Sequence, residues 1–159
     1  MIPLRLVLQN FLSYGEQAQA LDFTRFHIAC LSGANGHGKS ALLDAITWSL
    51  WGQARKGRHD RKPDEGLLRL GAQQMRVEFT FDLDGVTHRV LRSFRRRPSS
   101  NITELELQVL DSTTDTYRPL SEAGAVGATQ SHIDRLLSMD YDTFINSAFL
   151  LQGQANAFT

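Results

Sequence analysis

Gly33-Ala34-Asn35-Gly36-His37-Gly38-Lys39-Ser40 satisfies the pattern G-x-x-x-x-G-K-[ST] in full. Successive backbone N–H groups of such a loop converge on an anion, and its glycines allow the positive φ angles and close approach that a side chain would block. The lysine reaches outer phosphates as a point charge, and the hydroxyl after it is a donor for Mg²⁺. Before the loop, His27-Ile28-Ala29-Cys30-Leu31 reads as a buried parallel strand. After it, Ala41 to Trp51 reads as a helix that is apolar on most sides and stops at Gly52. Strand, glycine loop and helix N-terminus in that order aim a helix dipole at phosphate. A Gly/Ser turn leading into a core helix is the plain alternative, but a full match to the pattern is rare at ordinary composition. The stretch points to binding of a nucleoside triphosphate.

Working outward, the 159 residues suffice for one domain with its own core, and 42% hydrophobic with 21% charged residues is ordinary for a soluble globular protein. No apolar run nears the ~18 residues needed to cross a membrane, and the N-terminus lacks a secretory pattern. The one cysteine, Cys30, excludes an internal disulfide and a Cys-rich metal cluster. Its place in the expected strand makes it an inert core thiol, and the whole suits the cytoplasm. Net charge is zero but uneven: residues 1–97 carry 15 Lys/Arg against 9 Asp/Glu, and residues 98–159 carry 2 against 8. The basic half has two clusters, one from Arg55 to Lys62 and one comprising Arg89, Arg92, Arg95, Arg96 and Arg97. Charge runs are commonly solvated faces; the alternative is contact with a polyanion, foremost DNA.

Leu4 to Phe11 alternates like a half-buried strand, and Ser13-Tyr14-Gly15 turns the chain toward a second short strand from Gln19 to Phe23. Gln53 to Gly66 is basic, polar and aperiodic, as a surface loop is. Met75 to Leu83 alternates, Asp84-Gly85 signals a tight hairpin, and Val86 to Phe94 returns as its partner. Thr103 to Leu110 adds a third alternating strand and Tyr117 to Leu120 a fourth. Helices are expected from Ser131 to Met139 and, capped by Asp140, through Tyr141, Phe144, Ile145 and Ala148. The organisation is one lobe over 1–159: a strand, loop and helix core at 1–52, a basic loop region at 53–74, an antiparallel meander at 75–120, and helices at 121–159.

One element is missing. A phosphate-loop enzyme usually carries a second acidic motif, an apolar strand ending in Asp, that holds Mg²⁺ and polarises water. Asp82, Asp84 and Asp111 end alternating strands instead, and no apolar run finishes in Asp-Glu. The sequence supplies a phosphate grip without a general base, half of a catalytic site.

Gly33 to Ser40, continued through Ala41-Leu-Leu-Asp-Ala-Ile-Thr-Trp-Ser-Leu-Trp-Gly52, resembles the ABC-type ATPase loop of the SMC-like group, nearest to the SbcC family of double-strand-break repair ATPases. Leu8 to Tyr14, Leu67 to Ala72 and Phe149-Leu-Leu-Gln-Gly-Gln154 resemble that family's opening motif, its post-loop segment and its Q-loop. The resemblance implies an α/β fold, a P-loop NTPase of ABC-ATPase type, here the N-terminal lobe with a mixed sheet and an added antiparallel β-meander. It implies ATP and Mg²⁺ as cofactors and an ATPase that is incomplete without a C-terminal lobe, which carries the remaining motifs beyond a long coiled coil. Asn35, Gly36, His37, Gly38, Lys39, Ser40 and Ala41 would hold the nucleotide, with Ser13 and Arg69 at its edge. Lys39 and Gln152 would be catalytic, and Ser40 and Gln152 would ligate the metal. Ser13 as a turn initiator, Arg69 as a solvated charge and Gln152 as a helix-terminal polar residue are the ordinary alternatives. His37 departs from the small residue usual in the loop, and Leu12 stands where many relatives have Arg.

Further implications are an ATP-induced head-to-head homodimer, an SbcD-type nuclease, double-stranded DNA tracked by Arg92, Arg95, Arg96 and Arg97, and a place at the nucleoid rather than a membrane. Two other readings compete: a chromosome-structuring SMC head, and a nucleotide-dependent binding module that does not hydrolyse. An ABC transporter domain fits less well, because too much chain separates Lys39 from Gln152.

Overall fold

A computed structural model describes residues 1–28, 30–34, 38–55, 63–121 and 124–148. Six strands form one sheet in the order β2-β1-β3-β4-β5-β6: β1 Ile2–Gln9, β2 Gln19–Asp22, β3 Gln74–Leu83, β4 Val86–Arg95, β5 Ile102–Asp111 and β6 Thr116–Pro119. Among the described residues four α-helices accompany it: α1 Lys39–Trp51, α2 Pro63–Leu67, α3 Val126–Leu137 and α4 Tyr141–Ala148.

Alternation decides which side of the sheet is covered. Leu6 and Leu8 on β1, Met75, Val77, Phe79 and Phe81 on β3, Val90 and Phe94 on β4, and Leu105 and Leu107 on β5 are all buried on one face. The register holds them together, with Leu6 opposite Phe79, Phe79 opposite Val90, and Val90 opposite Leu107. Asp84 (φ 54°) and Gly85 (φ 82°) are both left-handed, the two-residue turn that matches strand twist, and Asp82 Oδ1 accepts from Gly85 N at 3.1 Å. The meander is therefore continuous with β1 rather than an appendage.

Helix α1 lies against this apolar face. Ala41, Leu42, Ala45, Trp48, Leu50 and Trp51 are buried, so the helix is covered nearly all round, as its sequence predicts. Large side chains such as Trp48 and Phe79 each contribute about 1.5–3 kcal/mol through burial. Trp51 meets Phe144 at 4.9 Å and Tyr141 at 6.5 Å between ring centroids, and its Nε1 donates to Met139 O at 3.2 Å. These contacts seat α4 on the C-terminal end of α1. Asp140 caps α4, its Oδ1 accepting from Thr143 N at 2.8 Å.

Four expectations change, the first being the surface loop from Gln53 to Gly66, whose end folds as α2, with Leu67 buried in the core. The described strands are antiparallel at every pairing, so the expected mixed sheet is not formed among the described residues. His27, Ile28, Cys30 and Leu31 form no strand: Ile28 is 92% and Leu31 50% exposed, and Cys30 is exposed as well. The physical reason is pairing. Both edges of β1 are taken by β2 and β3, and no described strand lies beside this stretch. Last, α3 begins at Val126, before Ser131; Gly127 is tolerated inside the first turn, where Thr129, Ile133 and Leu137 give the buried stripe.

Candidate nucleotide site

The site is built where two sharp turns meet the start of α1. Gly38 is the N-cap of α1 at φ 80°, and no side chain caps the helix, which leaves this end suited to an anion. Lys39 Nζ donates to Gly33 O at 2.6 Å and Ala34 O at 2.9 Å, so the ammonium spans the entrance of the loop and holds it to the helix. A Cβ at position 38 would stand 2.5 Å from Ser13 Oγ and 3.4 Å from Tyr14 Cε2. Only glycine fits there, on grounds of both space and φ.

Ser13 and Tyr14 sit in a turn that is wound tightly. Asn10 (φ 52°) and Leu12 (φ 49°) are both left-handed, Asn10 N donates to Gly15 O at 2.8 Å, and Tyr14 N donates to Phe11 O at 2.9 Å. The segment after α2 fixes this turn from the far side. Leu12 N donates to Leu67 O at 2.8 Å, Arg69 N to Asn10 O at 2.9 Å, and Arg69 Nη1 to Ser13 O at 2.9 Å. The structure thus brings Ser13, Gly38, Lys39 and Arg69 to one place, with Ser40 and Ala41 in the first turn of α1 beside them. Tyr14 joins them, donating from Oη to Gly38 O at 3.4 Å, and burial pushes its hydroxyl pKa up, which keeps the proton for that bond.

Asp44 and Arg55 are two more members of the site that the sequence reading did not identify. Asp44 is 5% exposed and receives Arg55 Nε at 3.1 Å and Nη2 at 3.3 Å, while Arg55 Nη2 also donates to Ser40 O at 3.1 Å. Arg55, grouped by sequence with a solvated basic cluster, is an ion-pair partner of the phosphate-loop helix. The spacing of Asp44 one turn after Ser40 was the available signal. Asn35, Gly36, His37 and Gln152 lie outside the described residues.

The basic set needs a correction. Arg92 is 5% exposed, and its guanidinium donates to Ser49 O at 3.1 Å and Gln130 Oε1 at 2.6 Å, so it cannot track DNA on the surface. Burial lowers its pKa to about 10, with Asp64 and Asp134 opposing that shift, so the charge persists at neutral pH. Arg95, Arg96 and Arg97 are exposed, and Arg96 Nη2 lies 3.7 Å from Glu65 Oε2 on α2.

A helix N-terminus without a side-chain cap, a glycine against a neighbouring turn and a lysine across the loop fit a triphosphate. The hydroxyl of Ser40 is the hard oxygen donor Mg²⁺ favours. These features and the sheet define the class: a P-loop NTPase lobe of ABC type. The chain belongs to the AAA_23 family of AAA domains, whose profile matches residues 5–159.

It is 35% identical over 155 residues to the SbcC component of the nuclease SbcCD of Deinococcus radiodurans, covering 97% of this chain and 16% of that protein. It is 31% identical over 157 residues to the DNA double-strand break repair Rad50 ATPase of Thermoplasma volcanium, covering 99% and 16%. This chain therefore spans about one sixth of the curated relatives it matches (16% of each). A solved SMC ATPase structure, described as concerning ATP-driven dimerization and DNA stimulated activation, superimposes with a TM-score of 0.63 at 22% identity. It covers 99% of this chain and 90% of its own, and shows the same fold.

Proposed function

We propose that this chain is the ATP-binding half of an ABC-type ATPase head in a DNA double-strand-break repair and end-processing complex. The observation that carries the reading is Lys39 spanning the loop entrance at the uncapped end of α1, in a chain whose relatives are named as SbcC and Rad50. Asn35 to Ala41 hold the nucleotide, Lys39 takes its outer phosphates, and Ser13 and Arg69 shape its edge. Ser40 and Gln152 would hold Mg²⁺, which would supply charge neutralisation at the outer phosphates. This chain's own part in phosphoryl transfer is positioning and electrostatic stabilisation.

The base comes from elsewhere. A C-terminal lobe completes the site and covers the exposed stretch around Ile28 and Leu31 with the strands that stretch lacks here. Two heads close over ATP as a homodimer, and Gln152 senses the γ-phosphate between lobes. Closure regulates an SbcD-type nuclease acting on double-stranded DNA, with Arg95, Arg96 and Arg97 on the phosphate backbone. Among the described residues no helix is long and apolar enough to cross a membrane. The names of the curated relatives favour end repair over chromosome structuring.

The deciding experiment is Mg²⁺-dependent ATP hydrolysis by this chain alone, then with the matching C-terminal lobe added, with Lys39→Ala as control. Silence alone and Lys39-dependent turnover on addition are expected. Turnover by the chain alone would mean that it holds its own base, and would overturn the half-site reading.

A further inference from the structure

The C-terminal end of α1 is stabilised from outside the helix. Its 13 residues include no acidic residue in the first turn and no basic residue in the last. Aligned peptide dipoles leave partial negative charge at that end, and the last carbonyls lack intrahelical donors. The chain's own continuation supplies one donor, Gly52 N to Trp48 O at 2.8 Å. The next two come from distant elements. Arg92 Nε on β4 donates to Ser49 O at 3.1 Å, and Gln130 Nε2 on α3 donates to Leu50 O at 2.9 Å.

The two donors also hold each other. Arg92 Nη2 donates to Gln130 Oε1 at 2.6 Å, and Gln130 Nε2 is held by Asp134 Oδ1 at 2.9 Å. Trp48 flanks the guanidinium at 5.9 Å and donates from Nε1 to Asp64 Oδ1 at 2.8 Å. A Cβ at position 52 would stand 3.0 Å from Arg92 Nη1. Glycine there both closes the helix at φ 67° and leaves room for the cation.

We infer that Arg92 is a positioning residue for the phosphate loop: a buried cation from β4 that caps the C-terminal end of α1 and thereby fixes the end carrying Lys39 and Ser40. A helix is a stiff rod, here about 20 Å long, so freedom at one end displaces the other. Arg92 touches no nucleotide. It acts by keeping the first-turn N–H groups of α1 and the Lys39 ammonium in one arrangement, which lowers the ordering cost of binding. The inference rests on the proposed nucleotide reading only for its ligand readout.

The test uses Arg92→Lys and Gln130→Leu in the full chain, with Val109→Ala as a control that weakens the buried face of β5 without touching α1. Amide exchange at residues 41–46, the first hydrogen-bonded amides of α1, should quicken without nucleotide about threefold to tenfold relative to the control at equal loss of Tm, the factor that one lost hydrogen bond commands. The Kd for Mg²⁺–ATP should weaken by a similar factor. Arg92→Lys should match or exceed Gln130→Leu, because an ammonium cannot hold Ser49 O and Gln130 in one planar fork, whereas Gln130→Leu leaves Arg92 on Ser49 O. Exchange at 41–46 no faster than in the control, in whichever variant folds, would overturn the inference. If the parent chain itself fails to bind Mg²⁺–ATP, the nucleotide reading falls, and the exchange result still decides the role of Arg92.

Discussion

Arg55 grips Asp44 through two nitrogens, Nε to Oδ1 at 3.1 Å and Nη2 to Oδ2 at 3.3 Å, and with the same Nη2 reaches Ser40 O at 3.1 Å. The backbone N–H of Arg55 donates to Asp44 Oδ1 as well, at 3.1 Å. One carboxylate inside α1 thus anchors the chain that leaves the helix to the turn that begins it. The carboxylate side chain is 6% exposed and the guanidinium 31%, so the pair is sheltered on one side only.

Removing one partner should therefore cost more than removing both. Arg55→Met strands a nearly buried carboxylate and should destabilise the fold by about 2 kcal/mol or more, whereas Asp44→Leu/Arg55→Met should recover part of that loss. Urea midpoints for the single and double variants check this. Additive losses in the double variant would mean that the two residues do not couple.

Gly38→Ala should abolish most nucleotide binding while leaving the sheet intact. The new methyl would meet Ser13 Oγ at 2.5 Å, and φ 80° disfavours any side chain. Ser13→Gly in the same chain should return part of the affinity by removing the clash but not the backbone strain. Calorimetric titration with Mg²⁺–ATP reads both, and wild-type affinity in Gly38→Ala would refute the packing described.

His88 gives the fold a pH dependence. It is 5% exposed, stacks on Phe81 at 5.6 Å, and has Nδ1 3.0 Å from Val86 O. Burial lowers its pKa; Val86 O and Asp82 pull the other way, and His132 adds to the lowering. A histidine with a folded pKa below its unfolded value binds more protons when unfolded, so stability is full above about pH 6.5 and falls as pH drops toward the folded pKa. The pKa values of Asp22, Asp111 and Asp140 are lowered, chiefly by hydrogen bonds from Thr24, Thr113 and Thr143, so these carboxylates remain ionised through that window. Urea midpoints between about pH 7.5 and about pH 5.5 should fall in the parent and flatten in His88→Phe. An unchanged slope would assign the effect to other groups.

Replacing Arg95, Arg96 and Arg97 by Glu should weaken binding to a duplex oligonucleotide and reduce its log–log salt slope by about one for each phosphate no longer neutralised. Arg92 is excluded from this set by its burial. Fluorescence anisotropy across a salt series measures both quantities, and an unaltered slope would remove these residues from any DNA surface.

Features that are local could be read from the linear chain. The phosphate loop, the apolar helix that ends at Gly52 and the Asp84-Gly85 hairpin each follow from residues a few places apart, because φ preferences, caps and alternation act over that range. Even Arg92 was legible in part: it shares period-two alternation with Val90 and Phe94, which puts it on the covered face, but its charge drew it into the neighbouring exposed cluster. The remaining features waited on the folded molecule. Whether the apolar run around Ile28 becomes a strand depends on a partner strand, and whether Arg55 and Arg92 meet solvent depends on Asp44, Ser49 and Gln130 arriving from elsewhere in the chain. Burial and ion pairing belong to contacts between distant segments, and a linear pattern does not state which segments meet.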